Sequence, residues 1–104
     1  MDWLIIEYDD KDSDSHVFMS KITDEFRALM NAADDPDGCG LYCNRDLSSD
    51  NVSRFYVNPE GARIHGVRDL LSSYGAKECS KPTEPCALLA GNNAEILHGE
   101  KSGE

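Results

Sequence analysis

The chain has 104 residues, a formal net charge of −10 and a hydrophobic content of 39%. This length fits one domain with a single core that needs no disulfide or metal to hold it together. A chain this acidic lacks the clustered Lys and Arg that phosphate groups require. This excludes nucleic acid and anionic membranes as direct ligands.

No stretch of the sequence approaches the roughly 18 apolar residues of a membrane span. The N-terminal residues have no basic segment and only a short apolar run, unlike a signal peptide. We therefore expect a cytoplasmic protein. In that compartment its cysteines remain thiols: Cys39, Cys43, Cys79 and Cys86.

The negative charge is unevenly distributed along the chain. Residues 1–50 contain 13 Asp and Glu against 4 Lys and Arg, whereas residues 51–104 contain 7 against 6. The first half is therefore a strong anion, and the second half is nearly neutral. This asymmetry exceeds what solubility requires and favours a surface that meets a basic protein.

The first half of the chain contains a strand pattern and a helix pattern. Residues 3–8 form a short apolar run rich in β-branched and aromatic side chains, which predicts a buried strand. Residues 15–33 predict an amphipathic helix, because apolar side chains recur there at helical spacing: Phe18, Ile22, Phe26 and Leu29. Pro36 and Gly38 end this helix.

Two further strands are predicted at residues 40–44 and 52–57, with a hairpin loop at 48–51. The next segment has two interpretations. In the favoured one, Asn58 caps a helix with Pro59 at its first position, and the helix runs to Gly75. In the other, residues 58–61 form a turn and the helix begins near Gly66.

Residues 77–85 are predicted to be a loop, residues 86–90 a last strand and residues 98–104 a flexible tail. The order strand, helix, strand, strand, helix, strand corresponds to a ferredoxin-like βαββαβ sandwich within the α+β class. We expect a single domain over residues 1–97, with two helices on one face of a four-stranded antiparallel sheet.

The sequence favours neither a cofactor nor a metal ion. In an extended strand, Cys39 and Cys43 are too far apart to bind one zinc ion. A disulfide between Cys79 and Cys86 would require the loop between them to close. His65 and Asp69 are four residues apart and are expected to form a solvated pair on the second helix.

Acidic residues near the first helix are the main candidates for a binding surface. They form three clusters: Asp9, Asp10, Asp12 and Asp14; Asp24 and Glu25; and Asp34, Asp35 and Asp37. The first and third clusters lie at the two ends of the helix and the second on its outer side. A continuous acidic ridge about 30 Å long is therefore expected. The alternative is a solubilising surface without a partner.

Two tyrosines extend the candidate site to the sheet. Tyr42 and Tyr56 can share the face of the sheet that the helices leave open, and tyrosine is enriched at protein interfaces. The alternative is that both side chains pack across strands within one molecule.

These features predict a non-enzymatic module that docks on a basic surface of a partner protein. One form of this function is inhibition of a nucleic-acid-binding enzyme by charge mimicry, as an anti-defence-type inhibitor. Two alternatives remain open: a small ferredoxin-like enzyme or metal-binding domain, and a structural subunit that forms a homodimer through its sheet.

Overall fold

A computed structural model describes residues 2–9, 15–44 and 52–97. It confirms the α+β class. The elements follow one another as β1 (Trp3–Asp9), α1 (Ser15–Ala32), β2 (Gly40–Asn44), β3 (Val52–Val57), α2 (Pro59–Ala62), α3 (Val67–Ser72), β4 (Lys77–Cys79) and β5 (Cys86–Gly91). The predicted hairpin loop at 48–51 and the predicted tail at 98–104 lie outside the described residues.

The strands form one antiparallel sheet of five strands in the order β4-β1-β3-β2-β5. The sheet therefore has one strand more than predicted. The additional strand is β4, which lies where a loop was expected and pairs with residues 3–5 of β1. The predicted last strand is present as β5, and it pairs with β2 at the opposite edge.

The helix α1 and the two short helices α2 and α3 pack on the same face of the sheet. The apolar side of α1 buries Ile22 and Phe26 completely, and these side chains contact the same core as Leu41, Phe55 and Val57 from the sheet. Burying apolar side chains of this size is the main source of stability in such a domain. None of the helices in the described part of the chain is long and apolar enough to cross a membrane.

The second face of the sheet is also covered. Trp3, Tyr42 and Tyr56 form a second buried cluster there with Cys86 and Leu97. Residues 80–85 connect β4 at one edge of the sheet to β5 at the other, and the hydrogen bond from Tyr56 to Glu84 shows that they cross this face. The face that was expected to be open is therefore closed by the chain itself.

The predicted long helix after β3 is two short helices. Asn58 caps α2 with Pro59 in its first turn, as the favoured interpretation expects. The chain then leaves the helical conformation and restarts as α3 after Gly66, whose φ is 91°. This left-handed conformation suits glycine because glycine has no Cβ. A continuous helix is therefore wrong, although Val67 and Leu71 are buried as predicted.

Candidate protein-binding surface

Three exposed aspartates follow the end of α1: Asp34, Asp35 and Asp37. We call these three residues the acidic pole. They line one side of a groove of about 360 Å³, and Glu60 of α2 lines it as well. Arg63 and His65 also border the groove. Four carboxylates thus border the groove, and one of them, Glu60, forms an ion pair of 2.9 Å with Arg63.

The acidic pole lies at the C-terminal end of α1, which is unfavourable for negative charge. The last turn of α1 contains no basic residue, and Asp34 and Asp35 follow it after a single residue, Ala33. A helix carries a partial negative charge at its C-terminus, so nearby carboxylates are repelled and cations are preferred. The position of these two aspartates therefore opposes helix stability.

Asp34 and Asp35 also lack charged partners within the described part of the chain, where no cation lies within 4.0 Å of either carboxylate. Asp37 differs, because its Oδ1 accepts hydrogen bonds from Nδ2 of Asn92 at 3.3 Å and of Asn93 at 3.2 Å. These bonds orient Asp37 without neutralising its charge. The negative charge of the pole is therefore available to a group outside this chain.

Asn58 holds the segment that carries Asp37. Its side chain is buried, and its Nδ2 donates to the carbonyl of Gly38 at 2.7 Å. Its Oδ1 accepts from the backbone N–H of Gly40 at 3.0 Å and of Gly61 at 2.9 Å. One amide thus connects the start of β2, the end of β3 and the first turn of α2. The segment next to Asp37 is therefore bonded to the end of β3 and to α2.

The predicted continuous ridge along α1 is not found among the described residues. Asp24 is exposed, but exposed Lys21 and Arg27 flank it three residues to either side. Glu25 is half-buried and accepts a hydrogen bond of 2.6 Å from the hydroxyl of Tyr74. This bond is the main reason why the pKa of Tyr74 rises to about 12.

The cluster before α1 is described only in part. Asp9 ends β1 and is exposed. Asp10, Asp12 and Asp14 lie outside the described residues. Because α1 has 18 residues, its two ends are about 27 Å apart, so Asp9 does not join the acidic pole.

Tyr42 and Tyr56 share the second sheet face, as predicted, and they are directly opposite each other in β2 and β3. Their exposed fractions are 0% and 6%, so neither offers surface to a partner in this structure. The hydroxyl of Tyr42 donates to the carbonyl of Glu95 at 2.9 Å, and burial is the main cause that raises its pKa to about 12. The arrangement agrees with the alternative of packing within one molecule.

A polar network lies beside Tyr56. Its hydroxyl donates to Glu84, and Arg54 lies 3.9 Å from the same carboxylate and 3.3 Å from Glu7. Burial first, and then the bond to Glu84, raises the pKa of Tyr56. The network fixes residues 80–85 against the second face. We therefore assign its charged side chains a structural role.

The cysteines have the environment of structural thiols. Cys39 and Cys43 are buried, and Cys79 and Cys86 lie at opposite edges of the sheet, so the disulfide considered from sequence has no support. All four are free, and burial is the main cause that raises the pKa of Cys39, Cys79 and Cys86. A thiol with a raised pKa is a poor nucleophile at neutral pH.

His65 and Asp69 do not form the expected pair on one helix. His65 lies in the turn before α3, whereas Asp69 lies within α3. Within residues 2–9, 15–44 and 52–97, no three His, Cys, Asp or Glu side chains come together in a way that could hold a metal ion.

Comparison with protein-family models, with curated proteins and with solved structures gives no match to this chain. Function therefore has to be inferred from the chain's own surface. Sequence reasoning named the three aspartates of the pole but missed Glu60, which lines the same groove. The sequence signal for it was the helix start at Asn58 and Pro59, which turns the next side chain towards the end of α1.

Proposed function

We propose that this chain is a protein-binding module that docks its acidic pole on a basic surface of a partner protein. The observation that carries the proposal is the setting of Asp34 and Asp35. Both are exposed, neither has a cation nearby in the described part of the chain, and both lie where the helix dipole disfavours them. Residues that break a local stability rule without a compensating internal contact are typical of functional surfaces.

The other acidic residues predicted from the sequence near α1 stay candidates for a wider binding surface: Asp9, Asp10, Asp12, Asp14, Asp24 and Glu25. Of these, Asp24 is exposed, whereas Glu25 is bonded to Tyr74 and Asp9 lies far from the pole. Clustered carboxylates can substitute for the phosphates of a nucleic acid on a protein that binds one. The partner is therefore a nucleic-acid-binding protein, and the effect of binding is inhibition by charge mimicry. Attraction between opposite charges would also accelerate association at low ionic strength.

The fold proposed for this module is a ferredoxin-like sandwich with an added edge strand. The order β4-β1-β3-β2 supports it, because four antiparallel strands with helices on one face are what this architecture requires. In this view β5 extends the sheet beyond β2. The module is assigned to the cytoplasm, since a reducing compartment suits its four free thiols.

The test compares two double variants that change the net charge equally. Asp34→Asn with Asp35→Asn neutralises two carboxylates of the pole. Glu78→Gln with Glu95→Gln neutralises two carboxylates that are paired with Arg68 and Lys81 in this chain. Wild type and both variants are immobilised, and partners are captured from native lysate at low and high salt.

We expect a protein that binds wild type and the Glu78, Glu95 variant alike, and that binds the Asp34, Asp35 variant at least about tenfold more weakly, which corresponds to about 1.4 kcal/mol. High salt should weaken the wild-type complex. Equal retention by both variants would contradict a role of the pole. Equal loss would show that only total charge matters.

A further inference from the structure

The strand β5 is the last strand on its side of the sheet in the described part of the chain. Its sequence, Cys-Ala-Leu-Leu-Ala-Gly, contains no charged residue and no proline. An exposed edge strand presents backbone N–H and C=O groups that can pair with another chain. Proteins protect such edges with charges, proline, bulges or a covering element. The residues of β5 supply neither charge nor proline, so protection must come from its geometry or its neighbours.

A bulge at Leu89 gives part of this protection. Ala90 is opposite Leu41 and Leu88 is opposite Tyr42, so Leu89 is an extra residue without a partner on β2. A bulge bends a strand and interrupts the regular spacing that a second strand would need. The carbonyl of Leu89 accepts a hydrogen bond from outside the sheet.

The donor to this carbonyl is Arg27 of α1. Its Nη2 donates to the oxygen of Leu89 at 3.2 Å, although the two residues are 62 positions apart in the chain. At the other end of β5, the N–H of Cys86 donates to the carbonyl of Leu97 at 3.5 Å. Two backbone groups of the edge strand are therefore occupied by distant parts of the same chain.

We infer that the hydrogen bond from Arg27 to β5 prevents this edge strand from pairing with β5 of a second copy of this chain. Two identical antiparallel strands can pair around a twofold axis, so that each copy presents the same residues to the other. The absence of charge in β5 means that no like charges would meet in the strand pair. Leu88, which is 41% exposed, would add an apolar contact. This role is separate from the proposed function, because it involves another surface and a different partner.

The test is the mass of the Arg27→Ala variant, measured by light scattering over a range of protein concentrations. Wild type should remain at the monomer mass of 11.5 kDa, and the variant should approach twice that mass as concentration rises. Lys21→Ala is the matched control, because Lys21 is an exposed cation of the same helix that faces the ring of Tyr74 rather than β5. This control should stay monomeric.

Two further variants keep the result decisive. Arg27→Met retains the aliphatic stem but no donor, so it should dimerise even if the alanine variant folds poorly. Adding Leu88→Lys to either variant should restore the monomer, since a lysine on an edge strand opposes pairing. Circular dichroism checks that each variant is folded.

Salt separates this inference from the proposed function. Two acidic copies repel each other, so added salt should strengthen the dimer of the Arg27 variants, whereas it should weaken docking of the acidic pole on a basic partner. The inference is overturned if folded Arg27→Ala and Arg27→Met both remain monomeric, if Lys21→Ala dimerises equally, or if wild type already dimerises and Leu88→Lys disrupts that dimer.

Discussion

The carboxylates at the end of α1 and those in the second half of the chain have different surroundings. Glu78 lies 3.7 Å from Arg68, and Glu95 lies 2.5 Å from Lys81. In the described part of the chain, no cation lies comparably close to Asp34 or Asp35. The charges of Glu78 and Glu95 are therefore balanced within the molecule, while charge at the acidic pole is left for solvent or a partner. A net charge alone would not have distinguished these two situations.

The largest expected effect on stability comes from removing the Asn58 side chain, which holds the segment next to Asp37 and carries no charge. Asn58→Ala removes the cap of α2 and leaves the buried N–H of Gly40 without its acceptor. We expect the free energy of unfolding to fall by about 3 kcal/mol, measured by urea denaturation. Asn92→Ala is the control and should cost less than about 0.5 kcal/mol, because it loses only an exposed bond to Asp37. A loss below about 1 kcal/mol for Asn58→Ala would contradict this role.

The second sheet face should make the free energy of unfolding fall at alkaline pH, whereas the acidic pole should not contribute to this fall. Burial is the main cause that raises the pKa of Cys86 from about 9 to about 12. Between these values the unfolded chain releases the proton while the folded chain keeps it. Stability is therefore complete below about pH 9 and falls as the pH rises, by up to about 3 kcal/mol near pH 11.

The check is the urea midpoint at several pH values between about 8 and 11. Cys86→Ala should flatten the decline, whereas Asp34→Asn with Asp35→Asn should decline as steeply as wild type. An unchanged slope in Cys86→Ala would assign the alkaline transition to other groups.

A smaller effect is expected from the hydroxyl of Tyr56. Tyr56→Phe removes the donor to Glu84 and leaves that carboxylate with Arg54, its other partner in the described part of the chain. We expect a loss of about 1 kcal/mol in thermal or urea denaturation. Tyr74→Phe loses a similar bond to Glu25 at a less buried position and should cost about half as much. If the two variants are equally stable, burial of the bond does not determine its contribution.

The smallest effect is the sharpest test of the difference between the two groups of carboxylates. Asp34→Asn with Asp35→Asn should raise the free energy of unfolding by about 0.5 kcal/mol, because it removes charge from the negative end of α1. Glu78→Gln with Glu95→Gln should leave it unchanged or lower it by a similar amount, since exposed ion pairs contribute little. Identical changes in both double variants would mean that the position of these charges is irrelevant to stability.

Most elements could be predicted from sequence because their signals are local. The periodicity of α1 and the short apolar and aromatic runs of β2 and β3 gave bounds that agree with the structure to within one residue. The strand β4 could not be predicted in this way. Its residues, Lys77, Glu78 and Cys79, have no apolar alternation, and they form a strand only because β1 offers a backbone to pair with.

The sequence also did not predict which strands lie next to each other in the sheet. The pattern of residues 86–90 predicts a strand, but it does not say that this strand pairs with β2 rather than β1. For the candidate site, the exposure of Asp34 and Asp35 followed from their position after the helix. The burial of Tyr42 and Tyr56 did not, because it depends on residues 80–85 and 94–97, whose sequences have no periodicity that would reveal what they cover.

The order of the strands has a consequence for how the chain folds during synthesis. Among the neighbouring pairs in the described sheet, only β2 and β3 follow one another in the chain. Among the described strands β1 is made first, and it pairs with residues 52–57 and 77–79, so its pairing waits until these later residues have left the ribosome. Closing such long loops before contacts compensate for the lost entropy slows folding. The β2–β3 hairpin is thus the natural starting point, and β1 stays unpaired and vulnerable to association until the later strands arrive.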